Sequence, residues 1–280
     1  MPNKRLNFRV LAFSLFFVSL SGEAFAAGRS EPWQMWFQEA GSPTMERIIA
    51  FNEMLLGIEA AIVILVLAIM AIIVFRFNEK SNPTPSKTTH NTMLEVIWTA
   101  LPIVILVIIA IPSIKLLYYA DHVENADMTL KVTGHQWYWT YTYPDHGGFE
   151  FDSNIIPEDE LKEGQPRLLS VDNRVVLPVE TTVRLLLNSD DVIHNWAVPS
   201  LGLKLDTVPG RTNETWVRIN KPGMYYGMCS ELCGINHGFM PIQIEAVSKE
   251  DFKAWVAKAT KEFAKNDNEE DGSLRLALAK

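Results

Sequence analysis

The segment Cys229-Ser230-Glu231-Leu232-Cys233-Gly234-Ile235-Asn236-His237-Gly238-Phe239-Met240 places two thiols, an imidazole and a thioether close together. These are soft or borderline donors that together suit copper, whereas calcium and magnesium want oxygen. Cys229 and Cys233 are the chain's only cysteines, so one local pair accounts for both and a disulfide-dense scaffold is excluded. Two other chemistries stay open on these residues alone. In an oxidising compartment the pair can close as a disulfide, leaving His237 and Met240 as bystanders. Zinc is the second, although it seldom takes a thioether and its short cysteine spacings usually hold two intervening residues. A further imidazole is available upstream: His194, in Asp191-Val192-Ile193-His194-Asn195-Trp196, follows a predicted strand and belongs to the same domain.

Such donors need a scaffold outside the lipid. Lys4, Arg5 and Arg9 precede an apolar run over 10–20 and the small residues Ala24 and Ala26, which reads as a signal peptide over 1–26. An N-terminal periplasmic segment over 27–48 comes next. Residues 54–75 carry a single charge, Glu59, and reach about 33 Å as a helix, enough to cross a bilayer. Residues 97–114 carry none, and 94–96 and 115–119 extend them, with Trp98, Tyr118 and Tyr119 as interfacial anchors. A transmembrane hairpin over 49–119 is predicted, with helices at about 50–76 and 94–119 and bends at Pro102 and Pro112. Around the loop over 77–93, Arg76, Lys80 and Lys87 stand against Glu79, whereas Glu31, Glu39, Glu46 and Glu53 outnumber Arg29 and Arg47 before the first span. The loop is therefore cytoplasmic and both ends of the mature chain face outward, which puts everything after about residue 120 in the periplasm or its equivalent.

Short alternating runs follow at 128–133, 135–143, 167–171, 181–187, 214–219, 223–227 and 242–247, separated by turn signals such as Val208-Pro209-Gly210. They predict a β-sandwich or barrel over 120–248. Phe252, Trp255, Val256, Ala259 and Phe263 then recur with helical spacing, giving a C-terminal helix and acidic tail over 249–280. The fold class is mainly β, with a transmembrane helical hairpin ahead of the β-domain.

The net charge of −8 is unevenly placed: residues 1–120 are near neutral, and the acids lie beyond them. An acidic outer domain excludes nucleic acid as a ligand and favours a basic partner. Between Asp145 and Asp191 eleven acids face four bases. In the run 135–143, Trp137, Trp139, Tyr141 and Tyr143 fall on one face of a strand, where core packing is the expected role. Periodicity does not separate Trp137 from Trp139. Glu95 stands at the cytoplasmic start of the second span, where a carboxylate costs little.

The His194 segment, Val208-Pro209-Gly210-Arg211, the loop from Cys229 to Met240, Gly134-His135-Gln136-Trp137-Tyr138-Trp139 and Val171-Asp172-Asn173-Arg174-Val175-Val176-Leu177-Pro178 together resemble the subunit II family of cytochrome c oxidases, within the haem–copper oxidases. The resemblance extends over the whole mature chain. It implies a cupredoxin-like domain holding the binuclear copper centre CuA, bridged by Cys229 and Cys233. His194 and His237 would be terminal ligands, with Met240 and the Glu231 carbonyl as weak axial ones. It also implies that the Glu231 side chain ligates Mg2+ shared with subunit I, and that Trp137 receives electrons from cytochrome c. Asp152, Asp172 and Asp191 would form the docking patch, and Glu95 would mark the mouth of a proton path. Thr142 departs from the pattern, standing where many relatives have an acid. Implied partners are cytochrome c, oxidase subunits I and III and membrane lipid. The haems and CuB would lie only in subunit I, where O2 is reduced to water with proton pumping, so the chain would serve the enzyme as its electron-uptake subunit. A membrane-anchored copper-binding or chaperone protein without turnover is the alternative. A quinol oxidase subunit II would lack the copper ligands, a nitrous-oxide-reductase-like donor would lack the two-span anchor, and a fused cytochrome would need the Cys-x-x-Cys-His site absent here.

Overall fold

A computed structural model of the chain describes residues 28–121 and 125–263; the expected signal peptide and the tail from 264 lie outside the described residues. Helix α1 spans Pro43–Arg76 and α2 spans Thr92–Asp121, and both are long and apolar enough to cross a membrane. α1 starts ahead of the expected position near 50. The cause is a capping signal outside the apolar run: the Ser42 hydroxyl accepts from Met45 N–H, and Pro43 occupies the first turn, where its missing donor costs nothing. The same hydroxyl donates to Leu201 O at 2.7 Å, and Met45 is buried, so the first turns of α1 dock on the β-domain before the helix reaches lipid. α2 is tied at its outer end, where Trp216 Nε1 donates to Tyr119 O at 3.0 Å.

Ten strands follow among the described residues: β1 Met128–His135, β2 Tyr138–Thr142, β3 Glu150–Ser153, β4 Val175–Pro178, β5 Val183–Ser189, β6 His194–Val198, β7 Leu203–Thr207, β8 Asn213–Val217, β9 Gly223–Cys229 and β10 Pro241–Val247. They form two five-stranded sheets, β3-β2-β1-β5-β8 and β4-β10-β9-β6-β7. Parallel pairing occurs at β1 with β5 and β4 with β10; the other pairs are antiparallel. The run expected as one strand over 135–143 is broken by a turn at Gln136-Trp137, which folds β1 back on β2. Residues 167–171 form turns instead of a strand, apart from a bridge between Val171 and Ile155; the Ser170 hydroxyl donates to Pro166 O there. β3, β4, β6 and β7 lie outside the expected strands. β4 and β6 are buried at every position, so their sequences show no alternation to read.

Trp139, Tyr141, Tyr143, Trp196 and Tyr225 are fully buried between the sheets with Leu130, Leu185, Leu187, Ile242 and Ile244. Their polar tips find partners, as burial demands. Tyr143 Oη donates to Val176 O at 3.0 Å and accepts from Val176 N–H, and Trp196 Nε1 donates to Tyr141 Oη at 3.2 Å. Burial pushes both tyrosines far above their ordinary pKa, so both stay neutral. Helix α3, Lys249–Glu262, is capped by Ser248 and buries Phe252 and Ala259 against this core, with Trp255 packed beside Tyr143, Phe149 and Phe151.

Candidate metal centre

β6 and β9 are hydrogen-bonded neighbours, with Trp196 opposite Cys229, so the start of one strand and the end of the other deliver His194 and Cys229 to the same place. Two backbone bonds close the following loop. Cys229 N–H donates to Met240 O at 3.2 Å, and Ser230 N–H donates to Asn195 O at 3.0 Å. Two glycines make room. At Gly134 a Cβ would come within 2.8 Å of the His194 ring, and Gly234 holds a φ of +122° with Trp137 alongside.

Both thiols are free and buried, with their sulfurs 3.8 Å apart. A covalent S–S bond is about 2.05 Å. Each sulfur has one imidazole nitrogen and one weaker donor beside it. Cys229 Sγ lies 3.9 Å from His194 Nδ1 and 3.4 Å from Glu231 O. Cys233 Sγ lies 3.6 Å from His237 Nδ1 and 3.5 Å from Met240 Sδ. The ligand atoms of His194, Cys229 and Cys233 fall within 4.8 Å of one another, close enough to hold a metal ion. The set has soft sulfur at its centre and imidazole at its ends, a composition that fits copper.

Burial pushes the Cys229 thiol up, but hydrogen bonding with His194, the Asn195 and Glu231 backbone and His237 outweighs it, bringing the pKa down to about 7. Burial and the neighbouring Cys229 charge push Cys233 up to about 12. The pocket thus accepts one negative charge readily and a second only beside a cation. His194 Nε2 bonds Asp191 Oδ1 at 2.8 Å, which fixes the ring with Nδ1 toward the sulfur. Burial opposes charge on Asp191, yet bonds from His194, Val192 N–H and Gln136 N–H hold its carboxyl below the usual range. For His194 burial lowers the pKa, and its bonds to Cys229 and Asp191 more than restore it, leaving it raised.

The structure therefore brings together His194, Cys229, Cys233, His237, Met240 and the Glu231 carbonyl. The Glu231 side chain is exposed, and no metal-type cluster among the described residues includes it. Trp137 sits at the β1–β2 turn, half-buried, its Nε1 donating to Cys233 O at 3.2 Å; Trp139 is fully buried and donates to Met240 O at 3.3 Å. Asp191, expected only as a docking acid, is engaged by His194 and by Gln136 N–H at 2.7 Å. Asp152 is exposed on β3 and accepts from Thr140 Oγ1; Asp172 is exposed nearby, joined through Asn173, which donates to Asp152 O. Opposite Thr142 stands Glu150, which accepts its hydroxyl, so the strand pair carries a carboxylate there after all. Glu95 lies in the first turn of α2, far along the helix from the β-domain. Sequence reasoning missed Gln136, whose Nε2 donates to Cys233 O at 2.7 Å, and Asp190, whose carboxylate is 3.8 Å from His135 Nδ1. No local pattern marks Gln136. The three-residue step from Asp191 to His194 was the available sign of the orienting bond.

Two family descriptions match the chain: "Cytochrome C oxidase subunit II, transmembrane domain" over residues 30–116 and "Cytochrome C oxidase subunit II, periplasmic domain" over 128–247. It is 56% identical over 237 residues to the probable cytochrome c oxidase subunit 2 of Rickettsia bellii, covering 85% of this chain and 88% of that one. Cytochrome c oxidase subunit 2 of Oenothera berteroana is 50% identical over 234 residues, covering 81% and 91%. Among solved structures, the periplasmic domain of subunit II of cytochrome oxidase of Bradyrhizobium japonicum is 52% identical, covering 51% of this chain and 100% of that domain, at a TM-score of 0.48. The hairpin, the sandwich and the thiol–imidazole cluster thus meet in one lineage, and the chain belongs to the cytochrome c oxidase subunit II family.

Proposed function

We propose that the chain is the electron-uptake subunit of a cytochrome c oxidase in a bacterial inner membrane. It accepts electrons from cytochrome c on the periplasmic side and passes them to haem in subunit I, where oxygen is reduced and protons are pumped. The observation that carries this reading is the pairing of two buried free thiols with one imidazole and one weak donor each. Cys229, Cys233, His194 and His237 would hold a copper pair through their thiolates and imidazoles, with Met240 and the Glu231 carbonyl as weak donors. Bound there, copper would supply one-electron redox chemistry, and the fixed donors would keep rearrangement small.

The chain's own residues do the rest. Asp191 holds His194 in one orientation, and Gln136 and Trp137 both bond the Cys233 carbonyl, so the ligand loop is braced from the solvent side. The half-buried Trp137 ring offers the contact between the outside and that loop. Asp152, Asp172 and Asp191 give the surroundings a negative potential that speeds encounter with a basic cytochrome and weakens with salt. The Glu231 side chain, exposed at the loop, would ligate Mg2+ with subunit I, and Glu95 would open a proton path on the cytoplasmic side. On this reading the chain divides into a signal peptide over 1–26, a periplasmic segment over 27–48, a hairpin over 49–119, the CuA domain over 120–248 and a C-terminal helix and tail over 249–280.

A copper chaperone would have to expose its thiols to a recipient, whereas Cys229 and Cys233 are each 3% exposed. The test is to purify the full-length chain with its partners, measure copper per chain and record its electron paramagnetic resonance. Two coppers sharing one unpaired electron support the reading. A single-copper signal, or a metal-free disulfide in the active complex, refutes it.

A further inference from the structure

The outer end of the hairpin holds a feature that none of the metal chemistry uses. A cavity of about 310 Å3 opens between the helices, lined by Arg47, Phe51 and Met54 of α1 and Pro112, Lys115 and Leu116 of α2. The apolar runs of the two helices end at Met54 and Ile114 on this side. Arg47 and Lys115 therefore stand in the headgroup layer, with Met54 and Pro112 at the hydrocarbon boundary beneath them. Cations on the outer side run against the usual bias of membrane proteins, so two on one cavity call for a counter-charge. Among the described residues neither makes an ion pair. The Arg47 guanidinium is stacked 3.6 Å over the Tyr119 ring, which holds its plane and leaves its N–H edge available.

We propose that this cavity binds an anionic phospholipid of the outer leaflet. Its phosphate lies between Arg47 and Lys115, and an acyl chain runs along Phe51, Met54 and Pro112. Guanidinium recognises phosphate through two parallel hydrogen bonds and the ammonium adds a point charge, so charge complementarity selects an anion. The apolar lower wall at hydrocarbon depth selects an amphiphile over a soluble anion. A carboxylate from a neighbouring subunit would answer the charge but leave that wall unfilled.

The experiment uses the full-length chain with its co-purifying subunits in phosphatidylcholine nanodiscs, with a photoactivatable phosphatidylglycerol as probe. Labelling is expected on the peptides carrying 47–54 and 112–116, and Arg47→Gln with Lys115→Gln lowers it about 25-fold, since each cation is worth about fivefold toward an anionic headgroup. Lys80→Gln, in the cytoplasmic loop, leaves it unchanged. For an assembly that does not tolerate the double variant, competition on the unaltered protein serves: unlabelled phosphatidylglycerol displaces the probe and phosphatidylcholine does not. Equal displacement by both lipids, labelling that survives loss of both cations, or cross-linking of the cavity to another subunit in place of lipid overturns the proposal.

Discussion

Within the apolar windows of α1 and α2 no residue is buried inside the chain, whereas the β-domain encloses Trp139, Trp196, Tyr141, Tyr143 and Tyr225 almost completely. Both regions are rich in large apolar side chains. They differ in where burial comes from: the hairpin depends on lipid and neighbouring subunits, and the sandwich supplies its own. A metal centre whose donors must be held at fixed separations belongs on the second kind of scaffold, because close-packed interiors resist displacement. The hairpin anchors that scaffold at the membrane surface through Ser42 and Tyr119.

The sharpest way to break this division is to remove a thiol. In Cys229→Ser or Cys233→Ser the shared-electron copper signal is expected to vanish, while the chain still fractionates with membranes and binds its partner subunits. Loss of membrane association together with copper would mean that the two regions are not independent.

Next in size are core deletions. Trp139→Ala removes a fully buried ring beside His194, and the β-domain should lose about 3–5 kcal/mol. Ile108→Ala, at an exposed position of α2, should shift the same urea transition by less than about 0.5 kcal/mol. Comparable losses at the two sites would contradict separate sources of burial.

Asp191→Asn tests the link from the scaffold to the ligand. It keeps the shape but weakens the bond that orients His194, so copper affinity measured by competition with a chelator should fall about 10–100-fold. If Asp191 acts only in docking, affinity stays constant and only the salt dependence of cytochrome c oxidation changes.

Much of this architecture was legible from residue order. The two apolar spans, the local thiol pair and the periodic face of α3 each depend on near neighbours, and the structure has them as expected. What escaped depends on contacts distant in sequence. β4 and β6 are buried on both faces and carry no alternation, and Gln136 meets Cys233 only because β1 turns back beside the loop. The start of α1 is written in Ser42-Pro43, a capping signal that lies outside the apolar run. Trp137 and Trp139 are equivalent by period two only in an unbroken strand. The turn between β1 and β2 makes them different.

That difference is itself testable. Trp137 hydrogen-bonds the ligand loop at the Cys233 carbonyl, which Gln136 Nε2 also bonds, and its ring lies beside Gly234, so Trp137→Phe leaves that oxygen satisfied and the six donors in place. Copper content should be unchanged while electron delivery from cytochrome c slows by at least about tenfold, about 1.4 kcal/mol of barrier. Trp139→Phe should behave in the opposite way. The Met240 carbonyl that its Nε1 bonds also accepts from Cys229 N–H, so the buried oxygen keeps one partner, and the loss falls on stability, by about 1–3 kcal/mol, with little change in rate. Stopped-flow reduction by cytochrome c alongside urea unfolding separates the two. Equal slowing in both variants, or none in Trp137→Phe, would return Trp137 to the role of a packing residue at a hairpin turn.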